Sequence, residues 1–219
     1  MKFPGINLLE ELEKDELHEL HAVFNTRTLP KNAIIYTPDE REDLTFIIKK
    51  GRVRVYLAYA DKEFTLAILR PGDLYSTHAG CYIQSLSSTQ LLVADVHAMK
   101  TLMDRNPVFT RTMVRVLGHI LKNTFSIIGG LVFKDIYARL LDYIIDEAQQ
   151  AGVPHHSGVL IDLNLTIEQL AQLMGASRQT VSTLLNDMLR AGFIIKHGRG
   201  QYIIPDLPAL KRHASEQCI

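Results

Sequence analysis

The stretch from Pro107 to Leu131, PVFTRTMVRVLGHILKNTFSIIGGL, constrains the chain more than any other. Proline suits the first position of a helix, where its missing N–H would have had no partner. From there the apolar residues fall on two lines. Met113, Val116, Ile120 and Ile127 make one; Val114, Leu117, Leu121, Ile128 and Leu131 make the other. Arg111, Arg115, Lys122 and Ser126 fill the remaining sector. One stripe fits one neighbour. Two stripes on a helix of about 25 residues, ~37 Å long at the usual rise, fit two. Those neighbours are either the chain's own preceding domain and the same helix of a second subunit, or the surroundings of a buried helix in one large domain.

The 219 residues leave room for one large domain or two small ones. With 47% hydrophobic and 22% charged residues, the make-up is that of an ordinary globular chain. No apolar run is expected to approach a membrane span. The N-terminus MKFPGINLLEELEKDELHEL lacks the apolar core and cleavage site of a secretory signal. Cys81 and Cys218 are the only cysteines and have no metal-ligand spacing, which argues against a disulfide framework, a zinc site or a cysteine-bound iron–sulfur cluster. A cytoplasmic location fits. Net charge is zero but unevenly placed. Glu10 to Glu19 carries six acids against Lys14, whereas Arg178, Arg190, Lys196, Arg199, Lys211 and Arg212 face only Asp187 and Asp206. A basic end on a neutral protein suits a polyanion partner.

Asn7 to Val23 has an apolar helical face of Leu8, Leu9, Leu12, Leu17, Leu20 and Val23. From Thr26 to Asp95 short β-branched and aromatic runs alternate with turn signals. Strands are expected over 33–36, 44–49, 52–60, 63–69, 82–86 and 90–96, with turns at Lys50-Gly51, Ala60-Asp61 and Pro71-Gly72-Asp73. Such a run of short strands indicates a sandwich or small barrel. A short helix comes next over 97–104, then the long one. Gly129-Gly130 costs it roughly 2 kcal/mol of helix propensity and reads as a flexible junction or a point of close helix contact. Ile136, Leu140, Leu141, Ile144, Ile145 and Ala148 mark a further helix, ended by Gly152-Val153-Pro154.

Thr166 with Gln169 three residues on is a capping box. The helix it opens turns inward Ile167, Leu170, Ala171 and Met174, and Gly175 makes the turn. A second helix runs from about Ser177 to Ala191, burying Val181, Leu184, Leu185 and Met188. Two strands, 193–196 and 201–204, flank His197-Gly198-Arg199-Gly200 as a hairpin. Two helices across a glycine turn followed by a hairpin make a winged helix-turn-helix. Its second helix leaves Arg178, Gln179, Ser182 and Thr183 facing outward, where Arg can pair with guanine and Gln with adenine. Ser177, Thr180 and the helix N-terminus suit phosphates.

A β-rich N-terminal domain, one long helix and a C-terminal winged helix-turn-helix together resemble the CRP/FNR family of bacterial transcription regulators. Gly51-Arg52-Val53-Arg54-Val55-Tyr56-Leu57, Phe64-Thr65-Leu66 and Ser177-Arg178-Gln179-Thr180-Val181-Ser182 are most similar to its haem-containing carbon monoxide sensors. The resemblance implies an α+β chain. Residues 1–106 would form a haem- or effector-binding antiparallel β-roll, a jelly roll like that of cyclic-nucleotide-binding domains. Residues 107–133 would be the long dimerisation helix, and 134–219 the DNA-binding domain. It also implies a homodimer on a palindromic double-stranded operator, with RNA polymerase as a further partner and no enzymatic activity. No nucleophile–base pair, phosphate loop or metal-hydrolase spacing is visible.

The effector must be argued separately, since one fold hosts many ligands. Cyclic-nucleotide members carry a Gly-Glu segment and a following Arg. The corresponding stretch here, Gly72 to Cys81, supplies neither that Glu nor that Arg, so an anionic phosphate would lack its main partner. The same stretch offers His78, which matches the haem-iron ligand of the gas sensors, and imidazole is a standard axial ligand. Leu117, Gly118 and Leu121 match positions lining the distal side of haem b (iron protoporphyrin IX). The resemblance implies that carbon monoxide displaces the sixth ligand and switches on DNA binding. Nitric oxide through haem, or an organic effector without haem, are the alternatives.

Two departures from the sensors' pattern stand out. Ser76 occupies the position of a cysteine ligand, so a Cys-to-His ligand switch is not expected, and Cys81 is read as a packing residue. The chain begins Met1-Lys2-Phe3-Pro4, without a proline at position two. Met1 then stays in place, and its amine, with an ordinary pKa near 8, is the expected sixth ligand. Its thioether, His18, His21, His97 and His119 are the other candidates. The line through Met113, Val116, Ile120 and Ile127 is expected to meet the partner chain, the line through Leu117, Gly118 and Leu121 to face the effector, and Gly129-Gly130 to pass motion onward.

Overall fold

The computed structural model describes residues 23–40, 43–60 and 62–216. The chain forms two compact units, Met1–Ser126 and Ile127–Ile219. The expected helix over Asn7 to Val23 falls almost wholly outside the described residues, as do Met1, His18 and His21.

Among the described residues of the first unit, eight strands form two antiparallel sheets. Strands β1 (Asn25–Leu29), β8 (Thr89–Asp95), β3 (Leu44–Lys50) and β6 (Leu74–Ser76) make one, in that order. Strands β2 (Ile34–Tyr36), β7 (Tyr82–Ser85), β4 (Val53–Tyr59) and β5 (Lys62–Leu69) make the other. Alternation along β3 shows why they stack. Phe46 and Ile48 join Val53, Val55, Ala67, Leu69, Tyr75, Ile83 and Leu91 in a core between the sheets. Ile47, pointing the other way, joins Leu74, Leu92, Ala94, Met99, Phe109 and Met113 in a second core beneath two helices. These helices are α1 (Val96–Arg105) and α2 (Pro107–Phe133). The sheet of β3 is thus covered on both faces, and β3 reads as a nearly continuous apolar run.

Two turn residues meet a steric demand. Gly51 has φ +91° between β3 and β4, and a Cβ there would lie 2.5 Å from the Ser88 carbonyl oxygen. Gly175 has φ 63° in the helix-turn-helix turn. Buried Arg54 holds the β4–β5 pair together, donating from Nη1 to Glu63 and from Nε to Thr65, each at 2.7 Å, with its guanidinium 4.2 Å over the Tyr56 ring.

In the second unit α3 (Ile136–Ala151), capped by Asp135, precedes β9 (Val153–His155) and β10 (Gly158–Asp162). Helices α4 (Ile167–Met174) and α5 (Arg178–Arg190) come next, then β11 (Ile195–Gly198), β12 (Gln201–Ile204) and α6 (Leu207–Glu216). The expected hairpin is half of a four-stranded sheet, ordered β11-β12-β10-β9. Strand β10 pairs with β12, Ile161 opposite Tyr202, and so fastens the wing to the segment before α4.

The long helix departs from expectation in two ways. Its first apolar line turns inward: Met113 is buried against Phe109, Met99 and Ile47, and Val116 packs beside it. That part of the line belongs to the chain's own β-roll rather than to a partner. The second line is the one left in water, with Val114, Leu117, Leu121 and Ile128 each at least half exposed, Leu131 nearly so, and Phe125 exposed as well. Periodicity sets the angle between two stripes but not which neighbour takes which. The helix is continuous through Gly129-Gly130 to Phe133, and a Cβ at Gly129 would meet nothing within 4 Å. Second, Phe109–Phe133 has the length and the apolar composition of a membrane span. Arg111, Arg115 and Lys122 within it make insertion costly.

Candidate functional site

The helix-turn-helix is built by caps. Thr166 accepts from the Gln169 N–H at 3.1 Å, and the Gln169 side chain accepts from the Thr166 N–H at 3.0 Å, a complete capping box. Ser177 caps α5, accepting from the Thr180 N–H at 3.1 Å, with its hydroxyl 2.8 Å from that of Thr180. Val181, Leu185 and Met188 are the buried face of α5. The opposite face leaves Arg178, Gln179 and Thr183 exposed, with Ser182 and Thr180 half-buried. Those five side chains and Ser177 therefore gather at one helix N-terminus. Lys196, His197 and Arg199 are exposed on the wing. This surface combines exposed hydrogen-bond donors with a positive helix end, a chemistry suited to a polyanion.

The second site candidate lies where β6 ends. Ser76 is followed by a 3-10 turn, Thr77–Ala79, closed by Gly80 in the left-handed conformation. Thr77 is buried, its hydroxyl accepting from the Leu44 N–H at 2.8 Å and so tying the turn to the start of β3. His78 is thereby pushed outward and half exposed. Its Nδ1 lies 2.8 Å from Ser76 Oγ, and its Nε2 3.4 Å from a carboxylate oxygen of Asp43. No sequence signal points to Asp43. It is 35 positions away in the chain, and only the register that sets Thr45 opposite Ser76 brings it beside His78. Asp73, the one acid between Gly72 and Cys81, is used locally, accepting from the Arg70 N–H at 2.7 Å.

On α2, Leu117, Gly118 and Leu121 lie together on the exposed face, and a Cβ at Gly118 would meet nothing within 4 Å. Cys81 is buried in the inter-sheet core. Burial pushes its thiol pKa up, and a hydrogen bond with Tyr75 offsets this only in part. Burial, with Cys81 adding to it, likewise drives the Tyr75 phenol far above its ordinary range. His97 is exposed on α1. Among the described residues, no three His, Cys, Asp or Glu side chains converge on one metal position.

Residues 26–106 match the cyclic nucleotide-binding domain and residues 138–213 the Crp-like helix-turn-helix domain. A doubly substituted CooA from Carboxydothermus hydrogenoformans is 39% identical, with a TM-score of 0.90 over 98% of this chain and 100% of that one. The chain belongs to the CRP/FNR family of transcription regulators. A second similar structure is the reduced (FeII) CO-sensing protein of R. rubrum, 30% identical over 95% of this chain and 98% of that one, TM-score 0.54. Among curated relatives, a CRP-like cAMP-activated global transcriptional regulator of Mycobacterium tuberculosis is 28% identical over 195 residues, 84% of this chain and 86% of the relative.

CRP/FNR members are DNA-binding regulators rather than enzymes, and they act as dimers. The surface around Arg178 is the part of this regulator that falls within the matched helix-turn-helix domain. His78 falls within the matched effector domain.

Proposed function

We propose that this regulator senses carbon monoxide through haem b held in its N-terminal unit, and binds a palindromic DNA operator as a homodimer, in the cytoplasm, to control transcription by RNA polymerase. The observation that carries the reading is His78: an imidazole held outward at the end of β6, with Ser76 on one nitrogen and Asp43 near the other. The residues fit the group. If Nδ1–H is donated to Ser76, Nε2 carries the lone pair that ligation of iron requires, with Asp43, 3.4 Å from Nε2, turned aside to admit the metal; a hydroxyl behind a ligating histidine fixes its tautomer and orientation. Leu117 and Leu121 supply an apolar surface suited to an uncharged diatomic gas, and Gly118 leaves room for a flat ring to approach the helix. Haem b would supply an iron atom able to bind carbon monoxide. Met1, outside the described residues, remains the proposed second ligand through its amine.

The likeness to CO-sensing proteins supports this reading. Some relatives are cAMP-activated, but the stretch from Gly72 to Cys81 offers no free acid and no arginine for a cyclic nucleotide. Visible absorption tests the proposal. Purified protein supplied with haem is expected to show a Soret band that sharpens and shifts under carbon monoxide, and His78→Ala is expected to lose the ferrous spectrum. A protein that stays colourless after haem is supplied rules the cofactor out. Unchanged spectra in His78→Ala rule out that ligand alone.

A further inference from the structure

Only Lys134 and Asp135 separate the long helix from α3. Both are pinned. Asp135 accepts from the Ala138 N–H at 2.7 Å, and Lys134 Nζ donates to Asp142 at 2.6 Å. The main fastening comes from half-buried Arg139. Its Nη1 donates to the Lys134 carbonyl at 2.7 Å and to the Gly130 carbonyl at 3.4 Å. Its Nε and Nη2 donate to the Met174 carbonyl at 3.2 and 2.9 Å. Gly130 lies in the last turn of the long helix, Lys134 just beyond it, and Met174 is the last residue of α4. Helix C-termini leave carbonyls without intrahelical partners and carry partial negative charge. One guanidinium thus joins two such ends. Its planar fork can donate in two directions at once, which an ammonium on a single stem cannot do with the same geometry.

We propose that Arg139 is a positioning residue that locks the helix-turn-helix to the end of the long helix, so that α5 takes its direction from that end. Gly175, Ala176 and Ser177 are the only residues between Met174 and α5, and Gly175 and Ala176 are themselves bonded back to α4 through the Ala171 carbonyl. Fixing Met174 therefore fixes the axis on which Arg178, Gln179 and Thr183 are presented. The DNA arm of the test rests on the reading of those residues as the DNA-facing set; the exchange arm does not.

The test compares full-length wild type with Arg139→Gln and Arg139→Lys. Hydrogen exchange is read at the Lys134 amide, bonded to the Gly130 carbonyl, and at the Ala176 amide, with the β12 amides as a fold control. Losing charge-assisted bonds at both ends is expected to speed exchange about tenfold at both amides together, with β12 unchanged. Affinity is then measured for duplexes that the wild type enriches from a random pool, and for scrambled duplexes. The expected result is about a tenfold loss on the enriched duplexes and none on the scrambled ones, with Arg139→Lys rescuing only in part. Exchange that rises at one end only, full rescue by lysine, or undiminished affinity for enriched duplexes overturns the proposal. If Arg139→Gln also loses β12 protection, Arg139→Lys carries the test. If the wild type enriches no sequence, the DNA reading fails and exchange alone decides the clamp.

Discussion

Cys81 illustrates how burial selects one use of a side chain over another. Its thiol pKa is raised by desolvation, so little thiolate is present near neutral pH, and thiolate is the reactive form. In the native protein at pH 8, the Cys81 peptide is expected to resist iodoacetamide, and to alkylate fully once the chain is unfolded in denaturant. Mass mapping checks this; rapid native alkylation would show the inter-sheet core to be open. His155 is a second case. Partial burial and the neighbouring His156 and His197 hold its pKa below 6.5. The unfolded chain therefore takes up this proton first, and the stability that His155 contributes is present above 6.5 and lost as pH falls toward its lowered value. Replacing His156 and His197 by Gln is expected to move the His155 NMR titration upward and to lessen the acid-side fall in melting temperature. At the DNA surface, Arg178→Ala is expected to cost about 1–3 kcal/mol on specific DNA and to relax one base pair per half-site. An equal loss on every sequence would identify a phosphate contact instead.

At the scale of elements, the long helix separates two kinds of substitution. Met113→Ala, in the core beneath the β-roll, is expected to cost ~2–5 kcal/mol of unfolding free energy. Leu121→Glu, on the exposed line, is expected to leave the melt of the isolated chain nearly unchanged and to shift sedimentation from dimer to monomer. The reverse pattern would restore the expected pairing through Met113, Val116, Ile120 and Ile127. Legibility in the sequence obeys the same logic. Caps announce themselves locally, so Thr166, Gln169, Gly175 and Ser177 placed the helix-turn-helix. Strand β1, NTRTL, did not announce itself, because an edge strand with four exposed residues carries no apolar alternation. Strands β9 and β10 were hidden by the Gly152-Val153-Pro154 stop signal, which ends a helix without specifying the next element. Asp43 beside His78 and Arg139 beside Met174 were beyond reach. Each depends on a juxtaposition across about 35 residues that only the folded register supplies.

For the whole molecule, two-fold pairing in the proposed homodimer would set the geometry of its target. Two recognition helices related by a dyad are expected to read half-sites about one helical turn, ~34 Å, apart. Footprinting on an enriched duplex, with a base pair or a half-turn inserted at its centre, checks the spacing; binding that tolerates a half-turn insertion is incompatible with a rigid pair. The exposed line of the long helix adds one more consequence. Its leucines, isoleucine and phenylalanine lie open to water when a single chain stands alone; covering them favours pairing, and a low copy number opposes it by mass action. Abundance itself then becomes an input. A cell making too few copies holds unpaired chains, each carrying a single helix-turn-helix, and raising expression past the dimerisation threshold supplies the paired form.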